Sequence, residues 1–130
     1  MKNELIQTVK HYSKTMLGLD IEVIKEFDFK NCKVSSIVID TSEVSIKFII
    51  NIEYESLELL SEKLFGFRND EMLEDLQKEI VNTIGGRFAD KYLKKGYKLS
   101  VPYIEKICDT KYGIYFQNEI LKLNVRLKVV

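Results

Sequence analysis

Residues 70–95 read DEMLEDLQKEIVNTIGGRFADKYLKK. Apolar residues recur there at steps of three and four, the spacing of an amphipathic helix. Asn69 or Asp70 can cap the start of that helix, and Gly96 fits its C-terminal stop. At about 100° per residue, with Ile80 as zero, Leu73, Leu76 and Ile84 fall within about 40° of it. On the same scale Asn82 falls at about 200°, Asp75 at about 220°, Gly86 at about 240° and Glu79 at about 260°. The helix therefore buries one stripe and presents Asp75, Glu79, Asn82 and Gly86 together on the other side.

Charge fits one continuous helix. Asp70 to Glu79 holds five acids and one base, and Arg87 to Lys98 holds five bases and one acid. That order suits the helix dipole. Gly85 and Gly86 each cost about 1 kcal/mol relative to alanine in a helix interior. One reading is that the pair ends the helix and a second helix follows. The other is that Gly86 removes a side chain so that another surface can approach Glu79 and Asn82. Patterning resumes at once with Phe88 and Tyr92, which favours the second.

Working outward, Asn3 to Leu17 is helical in its spacing, through Leu5, Ile6, Val9, Tyr12, Met16 and Leu17, with Gly18 as a stop. Ile21 to Phe29 reads as irregular and extended. Ser35 to Asp40 reads as a strand, Asp40-Thr41-Ser42 as a turn, and Val44 to Ile52 as a second strand that completes a hairpin. Glu55 to Phe65 is a short amphipathic helix closed by Gly66. Lys98 to Ile107 looks extended, and Pro102 places it at an edge or a strand start. Ile114 to Gln117 is a short strand. Leu121, Leu123, Val125, Leu127 and Val129 alternate with polar residues, a clear strand. If that strand lies on a sheet edge, it invites pairing with another chain. Tyr103, Tyr112 and Tyr115 sit in strand-like stretches and read as packing. The order predicts one α+β domain over residues 1–130. Its sheet is largely antiparallel, with two long helices and a short one packed on one face.

Composition narrows the chemistry. The chain has 130 residues, with 20 Lys+Arg against 20 Asp+Glu. Zero net charge argues against nonspecific nucleic-acid binding and against a polybasic membrane anchor. No apolar run approaches the roughly 18 residues of a membrane span. The first residues lack the apolar core of a signal peptide, so the expected location is the cytoplasm. Cys32 and Cys108 are too few and too distant in sequence for a disulfide framework or a zinc site, and reduced thiols are expected. His11 is the only histidine. It has no Cys or Asp at helical spacing, so it reads as a surface side chain rather than part of a triad. Metal clusters of His and Cys are not available. Any chemistry here borrows part of its site from another molecule.

Asp75, Glu79, Asn82 and Gly86 form D-x3-E-x2-N-x3-G, within DLQKEIVNTIGG. This resembles the signature of the CheX/CheC/FliY chemotaxis phosphatases, which dephosphorylate the response regulator CheY. Ser100-Val101-Pro102 stands where that family has a S-x-P segment entering a strand. Helices ending in Leu64-Phe65-Gly66 and Met16-Leu17-Gly18 are also similar to the family's, so the resemblance covers most of the chain. One E-N-G motif rather than two is similar to CheX rather than CheC. The sequence departs from the family's pattern at Arg87-Phe88, which intervene before Ala89. Arg87 adds bulk and charge near the docking face.

The resemblance implies an α+β homodimer with a shared sheet, acting on an aspartyl phosphate. Asn82 would orient the attacking water, as a glutamine does in Ras-type GTPases. Glu79 would pair with a lysine of the receiver, Gly86 would let the receiver come close, and Asp75 and Arg87 would lie at the docking surface. No metal or cofactor of the chain's own is expected, because the receiver brings its Mg²⁺. Without the resemblance, Glu79 is a solvated helix acid and Asn82 a surface asparagine. The alternative is a noncatalytic dimeric module that binds a receiver or a flagellar-type partner without hydrolysis.

Overall fold

The computed structural model describes residues 1–130. Its centre is a hairpin of two strands, β1 (Cys32–Thr41) and β2 (Ser45–Glu53), in unbroken register from Cys32↔Glu53 to Asp40↔Ser45. The three-residue strand Glu22–Ile24 is called the N-terminal strand. Thr41 makes the turn. Its Oγ1 donates to the Val44 carbonyl at 2.7 Å and accepts from the Val44 N–H at 3.0 Å. The helices are α1 (Lys2–Leu17), α2 (Tyr54–Phe65) and α3 (Asp70–Leu93). The remaining strands are β3 (Tyr97–Leu99), β4 (Tyr103–Glu105), β5 (Ile114–Gln117) and β6 (Lys122–Val129).

All pairings are antiparallel. The sheet runs N-terminal strand, β5, β6, β2, β1, β3, and β4 also pairs with β1. The α+β architecture expected from the sequence is the one observed. No helix is long and apolar enough to cross a membrane.

Strand alternation sorts the side chains. Ile37, Ile39, Phe48, Ile50, Leu123 and Val125 point to one face and join Leu5, Val9, Leu60, Ile80, Ile84 and Phe88 of the helices in a single core. The opposite face is the more polar one, although Val34 and Ile49 are buried on it, and side-chain amides hold it. Asn51 Nδ2 donates to Asn124 Oδ1 at 2.9 Å and to the Asp109 carbonyl at 3.0 Å. Asn124 Nδ2 donates to the Tyr112 carbonyl at 3.0 Å. Arg126 pairs with Asp109 at 2.7 Å, and this hydrogen bond holds the Asp109 carboxyl below its ordinary range. These bonds fasten residues 109–112 against the sheet.

One expectation needs correction. Cys32 and Cys108, expected as reduced thiols, are joined in a disulfide with Cα atoms 6.1 Å apart across a sequence separation of 76. The cause is strand register. Val34 faces Glu105 in the β1–β4 pair, so continuing the ladder brings Cys32 beside the segment that carries Cys108. Sequence distance hid a pairing that the sheet creates. Asn51 Oδ1 lies 3.8 Å from Cys32 Sγ and 3.6 Å from Cys108 Sγ, so it can accept from either thiol when the pair is reduced.

The alternating C-terminal strand is not an edge over most of its length. β6 lies between β2 and β5. Only its end is open on one side, because β5 pairs with Lys122–Val125 and β2 continues to Val129. α3 ends at Leu93, close to the expected end, with Lys94 at a positive φ of 65° and the Lys95 N–H donating to the Leu93 carbonyl at 2.7 Å.

Gly85 and Gly86 are interior to α3, so the helix does not end there. They differ in surroundings. A Cβ on Gly85 would run into Ile37 Cδ1, with Ile37 Cγ1 at 3.1 Å and Phe48 Cδ1 at 3.2 Å. Both neighbours are fully buried. A Cβ on Gly86 would meet only Leu99 Cδ1, at 3.5 Å. Gly85→Ala should therefore destabilise the fold by about 1–3 kcal/mol, overpacking outweighing the gain in helix propensity. Gly86→Ala should raise stability by up to about 1 kcal/mol. Urea unfolding of both variants checks the opposite signs.

Candidate functional site

The ridge on α3 is set by its cap and its core stripe. Asn69 caps the helix, its side chain accepting from the Glu71 N–H at 3.0 Å. The Tyr54 hydroxyl donates to Asp70 Oδ1 at 2.9 Å and ties the first turn to α2. Leu73, Leu76, Ile80, Ile84, Gly85 and Phe88 are buried. With these inside, the helical period leaves Asp75, Glu79 and Asn82 exposed and Gly86 half-buried. The structure thus brings Asp75, Glu79, Asn82 and Gly86 onto one face.

This face is chemically uncommitted. The ion pairs of the chain involve neither Asp75 nor Glu79. The side-chain hydrogen bonds of α3 lie elsewhere, at Asn69, Asp70, Asp90 and Lys91. Asn82 presents an amide to solvent, with one acceptor and two donors available. No group of three or more His, Cys, Asp or Glu is arranged to hold a metal ion.

Arg87 is separated from the ridge. It is exposed, but it turns toward α1 into a shallow depression with Thr8, His11, Asp90 and Lys91. Its backbone sits about 100° around the helix from Gly86. The SVP segment lies beside the ridge through Leu99, the neighbour of Gly86. Ser100 itself serves the sheet. Its N–H donates to the Val38 carbonyl at 2.9 Å, and its Oγ accepts from the Val38 N–H at 2.8 Å. Here a polar side chain extends an edge where Pro102 could not donate.

The sequence reading missed Tyr12. It reads as one more core residue of α1, and it is only 3% exposed. Yet it lines the same groove as Asp75 and Glu79. Burial, and secondarily the Glu79 carboxylate, push its hydroxyl from an ordinary 10.0 up to about 12. No sequence signal marks it, because the Tyr12–Glu79 approach depends on how α1 crosses α3.

The sign of the pH effect follows from linkage. Below about pH 10 the phenol is neutral in both states. Between 10 and about 12 it ionises in the unfolded chain only, so stability falls across that window. Tyr12→Phe should remove that part of the alkaline loss. Urea midpoints at pH 9 and about 11 for the two proteins measure it.

The chain matches no protein-family model, and no curated protein matches it by sequence. Solved structures do match. A chemotaxis protein CheX from Vibrio vulnificus superposes with TM-score 0.75 at 17% identity, over 98% of this chain and 97% of that one. The CheX of a CheX–CheY–BeF3–Mg²⁺ complex from Borrelia burgdorferi gives TM-score 0.75 at 17% identity, over 98% and 96%. FliY from Thermotoga maritima gives 0.60 at 13%, over 97% and 83%. At these identities the likeness is one of fold: over nearly its whole length the chain has the CheX/CheC-like fold of chemotaxis proteins.

Proposed function

We propose that this chain dephosphorylates the aspartyl phosphate of a CheY-like response regulator, ending its signal. The observation that carries the reading is the uncommitted face of α3, where Glu79, Asn82 and Gly86 stand together on a fold similar to a CheX solved with CheY. An aspartyl phosphate is an acyl phosphate and already activated, so the missing component is a positioned water. The Asn82 amide orients that water in line with the phosphorus. The water oxygen bonds to phosphorus, the bond from phosphorus to the carboxyl oxygen breaks, and the products are phosphate, the free carboxylate and a proton. Holding a water in attack geometry lowers the barrier by prepaid entropy rather than by new covalent chemistry.

Glu79 lies about one turn before Asn82 and supplies a carboxylate for a receiver lysine. Gly86 keeps the far side of Asn82 low, so that the receiver can close over it. The Mg²⁺ belongs to the receiver, the chain works in the cytoplasm, and it acts as a homodimer. Arg126 to Val129, the end of β6 left open on the β5 side, is the edge available for a shared sheet.

The test loads CheY-like receivers from the same organism with acetyl phosphate and follows aspartyl phosphate lifetime. Addition of the chain should shorten the lifetime of at least one receiver. Asn82→Ala should remove most of the effect, about 100-fold or more, with little loss of docking. Glu79→Ala should weaken docking as well. An unchanged lifetime with every receiver rejects hydrolysis. Binding that survives loss of both side chains then favours the noncatalytic module.

Assembly is tested separately. Sedimentation equilibrium at micromolar concentration should give twice the 15.2 kDa chain mass. A monomer mass rules out the homodimer.

A further inference from the structure

Beside the ridge, α1, the end of α2 and the first half of α3 enclose a groove of about 520 Å³. Its lining is apolar, from Tyr12, Met16, Leu64, Phe65, Met72 and Leu76. Asp75 and Glu79 form the rim on the ridge side. Met16 is 39% exposed and Phe65 47% exposed, so two large apolar side chains of the lining face solvent.

We propose that this groove seats an apolar side chain of the phosphorylated receiver, and that a basic side chain next to it on the receiver pairs with Asp75. The inference rests on the receiver reading above and extends it to a second anchoring point.

Three observations select this occupant. The groove and the ridge share Asp75 and Glu79, so a surface laid over Asn82 also covers the groove. Asp75 makes no ion pair within the chain, and the first part of α3 carries five acids against one base, so charge complementarity calls for a base. Tyr12 is buried in the lining, and its hydroxyl makes no hydrogen bond within the chain. Its titration is pushed above the ordinary range by burial, so it is neutral at physiological pH and can donate to a carbonyl of whatever enters. Met16 and Met72 supply flexible, polarizable surface that conforms to an incoming side chain. An apolar anchor in a desolvated pocket, rimmed by charge, is the usual form of an interface hot spot.

Helix geometry adds a distance. Leu76 and Met72 lie six and ten residues before Asn82, which is roughly 9–15 Å along the axis. The receiver's anchoring residue should lie at about that distance from its phosphorylated aspartate, with a lysine or arginine adjacent.

The experiment measures affinity of the full chain for Mg²⁺–beryllofluoride-loaded receivers from the same organism, together with single-turnover dephosphorylation at saturation. Met16→Glu and Phe65→Glu should each raise Kd by about tenfold or more while leaving the saturated rate within about twofold. Asp75→Asn should flatten the salt dependence of association. Tyr112→Glu, 62% exposed on the other side of the sheet, should change neither. Thermal unfolding checks that the variants fold. A chain with p-benzoylphenylalanine in place of Phe65 should cross-link to the receiver on irradiation, a readout independent of added charge.

Wild-type binding with unchanged Kd in both groove variants, and no cross-link, overturns the groove and leaves the phosphatase reading intact. Loss of self-association in those variants with receiver binding unchanged also overturns it, assigning the groove to a second copy. A wild-type chain that binds no loaded receiver overturns the receiver reading itself, and the occupant with it.

Discussion

The structure depends on one close approach. α3 crosses the central hairpin at Gly85, where the absence of a side chain lets the helix backbone settle onto Ile37 and Phe48. Those two residues face each other across the hairpin register and are completely buried. The helix is therefore fixed in height and in rotation against the central hairpin of the sheet. Rotation is what matters for the ridge. Twenty degrees of roll would carry Asn82 by roughly 2 Å at the radius of an extended side chain, enough to spoil the alignment of the water proposed to bind there. A residue that contributes no atoms to the core thus sets where the exposed amide points.

The two glycines divide the work between the faces of the helix. Gly85 faces inward and serves packing. Gly86 faces outward beside Leu99, where alanine fits at ordinary contact distance. Its retention in a long helix costs about 1 kcal/mol that the fold does not recover. Asn82, also below alanine in propensity, stands exposed one turn earlier. Two locally unfavourable choices on one face, inside an otherwise well-formed helix, are what the proposed docking surface would require.

Much of this was legible in the sequence, because periodicity records which side of an element is buried. The core stripe of α3, the hairpin around Thr41 and the alternation of β6 follow from spacing alone. Asp75, Glu79, Asn82 and Gly86 could be grouped for the same reason, since residues on one helix share a frame. What spacing does not record is the relation between elements. Cys32 and Cys108 meet only because β4 returns to pair with β1. β6 is largely interior only because β5 folds back on it. Tyr12 and Glu79 approach only because α1 crosses α3 at that point. Arg87 follows the ridge in sequence, yet it turns toward α1. Each depends on tertiary geometry that a one-dimensional pattern does not contain.

The disulfide and the proposed location pull in different directions, and the polar face of the sheet reconciles them. Cytosolic thiols are kept reduced, so a fold that relied on the Cys32–Cys108 bond would be poorly suited to that compartment. This one does not rely on it alone. The segment beyond Cys108 is also held by Asn51 on the Asp109 carbonyl, Arg126 on the Asp109 carboxylate, the Tyr115 hydroxyl on the Thr110 carbonyl and Asn124 on the Tyr112 carbonyl. Asn51 Oδ1 stands ready to accept from either freed thiol. Opening the bond removes a cross-link from the unfolded chain's entropy balance but leaves these native bonds in place. They lie on the sheet face opposite the core that carries α3. The ridge is held from the other side, through Gly85, Ile37 and Phe48.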